Sequence, residues 1–265
     1  RDLEAVSQLL AWMAQRDVAS AVALTVALTA DHPDMAEEYS RQLAKAVSRV
    51  SDAIAALHDL PPSPARSRVE TRLLAEVAAT GEAWSVCQQA REQWPDDSGL
   101  RVQAILLAAA LDEPELLEPF AANSQDLDIP ALVALARAQR ALNQHDRAVG
   151  TAEQALERDR NDFEALVEAA RAYGGRAAAK AADAPDKSVA RADVDTSRQF
   201  AMQAMAVDPQ RDESYEVLAR LYGRGGPLAD TQFFHEAMQQ LYQANPHSSL
   251  YARLAAEEAI GAGRS

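Results

Sequence analysis

The chain of 265 residues carries 26 basic and 40 acidic side chains, a formal charge of −14, and it contains 58 alanines but only four isoleucines, 10 glycines and one cysteine. A single cysteine excludes a disulfide framework and a cysteine-based zinc site, and an apolar content of 48% excludes an intrinsically disordered chain. Alanine is the strongest helix former, whereas sheets favour β-branched and aromatic residues, so the composition predicts an all-α fold.

The first distinct element is an apolar stretch of twelve residues from Ala19 to Ala30. A helix needs about 20 apolar residues to span a bilayer, and no basic flank with a small-residue cleavage pattern surrounds this stretch as in a signal peptide. We therefore expect an amphipathic helix here and no membrane insertion of this segment. Because the first residue is Arg1, we expect a piece of a longer or processed protein, which leaves cytoplasmic and periplasmic locations both open.

The next segment, Ala36 to His58, has the apolar spacing of one long helix. The residues at this four-and-three spacing are Leu43, Val47, Val50, Ile54 and Leu57. The favoured interpretation is a helix that lies in the core of the fold, and the alternative is a helix that joins two copies of the chain in a homodimer. Three prolines between Pro61 and Pro64 then break the chain, and we place the first domain boundary there, at 64/65.

Most of the later helices end on a common signal, in which an Asp or Asn lies close to a proline that prevents the helix from continuing. The markers of these ends are Pro33, Pro95, Arg160, Pro209 and Pro246. They are separated by 62, 65, 49 and 37 residues. A regular spacing of helix ends predicts an internal repeat.

The best-formed repeat unit covers residues 129–162. Its pattern residues are Leu132, Leu135, Ala136, Ala148, Ala155 and the Leu156-Glu157 ending. These residues resemble the tetratricopeptide repeat, a helix-turn-helix unit of about 34 residues, although Gln139 replaces the usual aromatic residue and Arg160 the usual proline. Units that begin at Phe163 and Asp212 fit the same frame, and looser matches occur earlier in the chain.

The resemblance implies an α-solenoid of six to seven stacked helix-turn-helix pairs, formed by degenerate repeats of a bacterial type. We expect N-terminal degenerate pairs over 1–64, middle degenerate pairs over 65–128, and better-formed repeats with a terminal capping helix over 129–265. The 49-residue interval is longer than one repeat, and insertions in repeats map to loops. We therefore predict an inserted, exposed loop with a frayed helical segment at about 174–193.

The sequence offers little that could carry out catalysis. The five histidines are scattered and form no metal-binding spacing, so we predict neither a metal nor a cofactor. Cys87 lies where the repeat buries a residue between its helices, and a reactive nucleophile would need a positioned base. The glycine-rich stretch 223–227 follows a helix and lacks the phosphate-loop pattern, which favours a lengthened turn. We therefore do not expect an enzyme.

The remaining candidate is a partner-binding surface on the predicted repeats. In tetratricopeptide repeat proteins the first helix of each unit lines a concave groove that holds the ligand. The resemblance places Arg137, Arg171 and Arg220 at one equivalent groove position, with Arg140 and Arg224 nearby, so that five arginines would line one wall. Glutamates share this wall and would partly neutralise it. These are Glu164, Glu213 and Glu216. The lysine and asparagine clamp that some family members use for C-terminal carboxylates is absent.

The charge is divided unevenly along the chain. Residues 1–129 have a net charge of −11 and residues 130–265 a net charge of −3. An acidic chain repels a nucleic-acid backbone, so we expect a protein or peptide partner, acidic ones included, and no nucleic acid. The predicted function is a non-catalytic interaction scaffold. The alternatives are the repeat region of a larger bacterial envelope or exopolysaccharide-secretion protein, and a regulatory module of an enzyme such as a glycosyltransferase.

Overall fold

The structure is a computed structural model that describes residues 3–183, 190–222 and 231–262. These residues form fifteen α-helices and three short 3-10 helices, and no β-strand occurs in the described part of the chain. The all-α prediction is therefore confirmed. The chain divides into two compact units, unit 1 of residues 1–123 and unit 2 of residues 124–265.

Unit 1 is made of helices that stack in two layers. Its helices are α1 (Leu3–Ala14), α2 (Val18–Asp31), α3 (Ala36–Ala46), α4 (Val50–His58), α5 (Pro64–Glu76), α6 (Thr80–Gln93), α7 (Ser98–Ala110) and α8 (Glu118–Ala122). Alternate helices are neighbours, because α3 packs against α1 and α5, α5 packs against α7, and α2 packs against α4. This is the neighbour pattern of stacked helix pairs.

The core of unit 1 is shared by successive helices. Five fully buried side chains come from α1, α2, α3, α4 and α5 in turn. They are Leu10, Val22, Leu43, Leu57 and Leu73. Each such side chain stabilises the fold by about 1.5–3 kcal/mol when it is removed from water. Because every helix offers only one apolar face, this stabilisation comes from stacking and not from single helices.

The expected single helix from Ala36 to His58 is wrong in one respect, because the chain bends after Ala46 and forms α3 and α4. The backbone of Val47 is extended, with φ −83° and ψ 144°. The apolar positions nevertheless face the predicted core, since Leu43, Val47 and Leu57 are buried in one cluster. The bend lets α3 pack against α1 while α4 packs against α2, an arrangement that a straight helix could not reach.

The first domain boundary at 64/65 falls inside unit 1. Helix α5, which begins at Pro64, packs against both α2 and α3. The compact division of the chain lies instead between Asn123 and Ser124, close to the second boundary that we placed at 128/129. The same stacking that holds neighbouring repeats together therefore joins residues on the two sides of the proline-rich break.

Unit 2 contains three helix pairs and a terminal helix among its described residues. Its helices are α9 (Ile129–Ala141), α10 (His145–Arg158), α11 (Phe163–Asp183), α12 (Arg191–Val207), α13 (Asp212–Tyr222), α14 (Thr231–Ala244) and α15 (Ser249–Ala262). Helix α11 packs against α9 and α13, so the first helices of the three pairs form one layer. Ala148, Ala155 and Ala204 are fully buried where paired helices touch.

The predicted loop at about 174–193 is corrected by the structure. Helix α11 continues to Asp183 and α12 begins at Arg191, whereas 184–189 lie outside the described residues. The alanine-rich run from Ala177 to Ala182 has strong helix propensity, and Ala177 is buried. The inserted residues therefore lengthen α11, which has 21 residues, where a plain repeat would have ended its helix.

Four helices begin directly after a polar residue whose side chain caps the first turn. Asp17, Asp97 and Asp128 each accept a hydrogen bond from a backbone N–H in the first turn of α2, α7 and α9. Ser63 caps α5 in the same way, and Pro64 occupies the first turn, where its missing N–H is not needed. A side-chain cap contributes about 1 kcal/mol to helix stability, so these residues fix the helix starts.

Candidate functional site

Four of the five arginines selected from the sequence lie on one face of unit 2. Arg137 and Arg140 project from α9, Arg171 from α11 and Arg220 from α13, and they are linked through shared carboxylates. We call these four residues the arginine wall. The fifth, Arg224, lies outside the described residues. The four described arginines thus share one face, and their role in binding a partner stays a prediction.

Glu168 is the centre of the arginine wall. Its side chain is 1% exposed, and its Oε1 accepts a hydrogen bond from Nε of Arg140 at 2.7 Å. Its Oε2 lies 3.7 Å from Nε of Arg137 and 4.0 Å from Nη1 of Arg171. One buried carboxylate thus holds three guanidinium groups around it, and these groups offset the cost of removing its charge from water.

Glu216 extends the wall from α11 to α13. Its two carboxylate oxygens accept hydrogen bonds from Nη2 of Arg171 at 3.3 Å and from Nη2 of Arg220 at 2.9 Å. Burial lowers the pKa of Arg171, although Glu168 and Glu216 partly restore it. The positions of Arg171 and Arg220 are therefore set by the same acidic residue.

A second set of charges lies at the edge of the wall. Arg211, which precedes α13, donates to Oε1 of Glu164 at 2.6 Å and to Oε1 of Glu213 at 2.5 Å. Its guanidinium lies 3.9 Å from the centre of the Phe163 ring. Although burial alone would lower it, the hydrogen bonds to Glu213 and Glu164 raise the pKa of Arg211. Glu164 also lies 4.0 Å from Arg137, which connects this edge to the wall.

The wall and its edge together contain five described arginines and four glutamates. Their formal charges leave an excess of one positive charge. Glu164 and Glu216 do neutralise part of the stripe, as the sequence suggested, but Glu168 was missed. The signal that could have found it is a lone glutamate within the apolar run of α11, between buried Val167 and Ala169.

Exposure separates the arginines of the wall into two kinds. The side chains of Arg220 and Arg137 are 67% and 40% exposed, whereas those of Arg140 and Arg171 are 24% and 18% exposed. The first two can therefore reach a partner without moving. The other two mainly hold the carboxylates in place.

The other candidate groups lie elsewhere in the fold. Cys87 is fully buried, its thiol lies 3.4 Å from the carbonyl oxygen of Leu100, and burial raises its pKa to about 12. It is a core residue, as predicted. Within residues 3–183, 190–222 and 231–262, no group of three or more His, Cys, Asp or Glu side chains is arranged to hold a metal ion. None of the described helices is both long and apolar enough to cross a bilayer.

Comparisons with known proteins identify the fold. No family model matches the chain, and no curated protein matches it. Human IFIT1, solved as a dimer with PPP-AAAA, superposes with a TM-score of 0.55 at 14% identity over 90% of this chain, and IFIT1 with m7Gppp-AAAA gives 0.54 at 15% identity over 87%. This chain covers 61% and 58% of those two chains.

The C-terminal part of a TPR repeat-containing protein from Cytophaga hutchinsonii also aligns, at 12% identity, over 94% of this chain and 98% of that one, with a TM-score of 0.49. The superpositions on human IFIT1 and the stacked helix pairs of the chain show the tetratricopeptide-repeat-like solenoid fold that its sequence resembles. At these identities the likeness concerns the fold alone.

Proposed function

We propose that the chain is a non-catalytic interaction scaffold whose arginine wall binds a protein segment with acidic side chains. Helical repeats of this kind are generally used to bind a protein or an RNA. The proposal names the surface and the class of partner. It is supported mainly by one observation, the buried carboxylate of Glu168 among three arginines.

A buried ion cluster of this kind is a poor way to stabilise a protein. Replacing such a cluster by well-packed apolar residues is often neutral or stabilising, because the charges must be removed from water. An ion cluster does favour binding, because guanidinium groups that it already holds in place lose less conformational entropy when a ligand binds. Of the three arginines at Glu168, Arg137 is the exposed one, so Glu168 supports a role in presenting Arg137 to a partner, and Glu216 holds Arg220 in the same way.

The charge of the chain favours a protein partner over a nucleic acid. The chain carries −14 in total. The wall and its edge together have an excess of only one positive charge, which is too little to neutralise a phosphate backbone. Protein segments can match alternating arginines and glutamates, since side chains of both signs occur side by side. The nucleotides bound by human IFIT1 make RNA the competing ligand that an experiment must include.

The test is a binding titration with the whole chain and labelled peptides. We would measure fluorescence anisotropy with a library of acidic peptides, with the same peptides after Glu→Gln and Asp→Asn replacement, and with 5′-triphosphorylated oligoadenylate. The chain should bind acidic peptides, more weakly as salt rises, and should bind the neutral peptides and the RNA far less. Stronger binding of the RNA would overturn the proposal.

Matched arginine variants locate the surface. In the chain with Arg137→Gln and Arg220→Gln, we expect the affinity for acidic peptides to fall about tenfold or more, because two exposed charge-assisted contacts are removed. The control carries Arg49→Gln and Arg253→Gln, which remove side chains that are 75% and 58% exposed outside the wall. Equal affinity in the two double variants would place binding elsewhere.

A further inference from the structure

A cleft of about 280 Å³ opens in unit 2 beside the exposed end of the arginine wall. Three of its lining residues are Arg140, Arg171 and Arg220. Most of the others are small or aliphatic. They are Ala170, Gly174, Gly175, Ala178 and Val217. The cleft thus combines a cationic side with an uncharged, largely apolar side.

The lengthened helix α11 provides much of the uncharged side. Gly174 and Gly175 lie in the interior of this helix, where each glycine costs about 0.5–1 kcal/mol relative to alanine. At Gly175 the reason is steric, since a Cβ atom there would lie 3.0 Å from Nδ1 of His145. Ala178, one turn beyond Gly174, is in the added part of the helix and is exposed. The insertion therefore helps to build the cleft.

The charges that line the cleft are unbalanced. Three guanidinium groups face one lining carboxylate, Glu216, which already accepts hydrogen bonds from Arg171 and Arg220. Arg140 and Arg171 also pair with the buried Glu168, at 2.7 Å and 4.0 Å, so the three arginines exceed the two carboxylates by one positive charge. The Nδ1 atom of His145, another lining residue, is buried and has no hydrogen-bond partner within the described part of the chain. An anion in the cleft would therefore meet an excess of positive charge, supplied mainly by the exposed guanidinium of Arg220.

We propose that this cleft is a binding site for an anionic group on an apolar stem, with a carboxylate or a phosphate as its head. The arginines would hold the head through charge-assisted hydrogen bonds, and Ala178 and Val217 would cover the stem. The inference rests on the proposed function, because it names the part of the partner that anchors beside the arginine wall.

The binding test uses small probes and the whole chain. Hydrocinnamate and phenyl phosphate carry a head on an apolar stem, acetate and inorganic phosphate are the heads alone, and 3-phenylpropanol is the neutral control. The readout is the backbone amide signals of Gly174 and Gly175 in nitrogen-15 NMR spectra. We expect both signals to move with the two stem-bearing anions, at about tenfold lower concentration than with the heads alone.

Comparison of the two stem-bearing probes shows whether a carboxylate or a phosphate is the preferred head. Equal responses to the heads with and without their stems would overturn the proposal, because the cleft would then select charge only. A response to 3-phenylpropanol as strong as to hydrocinnamate would overturn it as well.

A pair of alanine variants on one helix tests the location. Ala178→Leu fills the cleft from an exposed position and leaves every arginine in place, whereas Ala182→Leu makes the same change at an exposed position of α11 that does not line the cleft. We expect Ala178→Leu to weaken phenyl phosphate binding at least tenfold and Ala182→Leu to leave it unchanged. Wild-type affinity in Ala178→Leu would refute the site.

The two proposals can fail separately. If the probes leave both glycine signals unmoved while acidic peptides still depend on Arg137 and Arg220, the cleft proposal is wrong and the scaffold proposal stands. If the probes bind in the cleft but no acidic peptide binds the wall, the scaffold proposal is wrong.

Discussion

At the scale of single residues, three turn positions among the described residues adopt left-handed backbone without being glycine. They are Ala78 with φ 59°, Asp112 with φ 58° and Asn143 with φ 58°. Each follows the first helix of a pair, and the next residue donates its N–H to a carbonyl five residues earlier, as Gln144 does to Gln139 at 2.8 Å. This is the Schellman ending of a helix, and it recurs after 34 and 31 residues, close to the repeat length.

Ala78 is the strained member of this set, since Asn and Asp tolerate the left-handed region better than alanine does. We expect Ala78→Gly to stabilise the chain by about 1 kcal/mol, because relief of strain exceeds the added entropy of the unfolded chain. Thermal unfolding measures this change in stability. The control is Ala55→Gly, at an exposed position in the interior of α4, where the substitution should destabilise by about 1 kcal/mol. A fall in melting temperature for both variants would contradict the prediction.

Glu168 is the residue on which the arginine wall depends. With Glu168→Gln, three guanidinium groups lose their common counter-ion, and we expect the free energy of unfolding to fall by about 2–3 kcal/mol, somewhat less than for a fully buried pair because Arg140 and Arg171 keep contact with water. Urea unfolding measures the change. The control is Glu157→Gln, at an exposed position of α10, with an expected change within about 0.5 kcal/mol. Equal stability of the two variants would show that the arginine wall does not depend on Glu168.

At the scale of helices, a buried ion cluster joins the two longest neighbours, α11 and α12. Asp193 of α12 is 5% exposed. Its Oδ1 accepts from Nη2 of Arg176 at 2.7 Å, and its Oδ2 lies 2.8 Å from Nζ of Lys180. Burial alone would raise the pKa of Asp193, but the hydrogen bonds from Arg176 and Lys180 outweigh it and lower the pKa. The extended α11 thus supplies the two basic side chains that pair with the buried carboxylate of Asp193.

The lowered pKa sets the pH dependence of this contact. Its stabilisation is present above the unfolded-state pKa of about 3.9 and is lost as the pH falls through the lower folded-state pKa. We therefore expect Asp193→Asn to reduce the free energy of unfolding at pH 7 by about 2 kcal/mol, which lowers the melting temperature by several degrees. The difference from wild type should shrink below about pH 4.

Calorimetry between pH 7 and pH 3 would follow this convergence. Asp195→Asn, on the exposed side of α12, is the control and should change the melting temperature little at any pH. A deficit for Asp193→Asn that stays constant down to pH 3 would show that its effect is not electrostatic.

At the scale of the whole molecule, most of the net negative charge is carried by residues other than those of the arginine wall. Residues 1–129 hold −11 of the total of −14, whereas the arginine wall lies in unit 2. An acidic N-terminal part would repel an acidic partner and leave the arginines of unit 2 as the favourable place to bind. An electrostatic field of this kind affects which partner binds and how fast it associates more than it affects the affinity of the complex.

The all-α fold and the helix-turn-helix repeat could be predicted from the sequence. Those properties depend on local propensity and on the spacing of apolar residues, which the chain carries in its order. The same spacing identified Leu43, Val47 and Leu57 as core residues, and the repeat register placed Arg137, Arg171 and Arg220 on one wall.

Three features could not be predicted from the sequence because they depend on how the helices pack: where the chain bends, whether the insertion is helical, and which charges form pairs. The bend after Ala46 and the continued helix of α11 follow from the surfaces available for packing. The pairing of Glu168 with three arginines depends on how far α9, α11 and α13 are rotated and shifted against one another. Differences of a few ångströms decide whether two charges form an ion pair, and no local pattern records them.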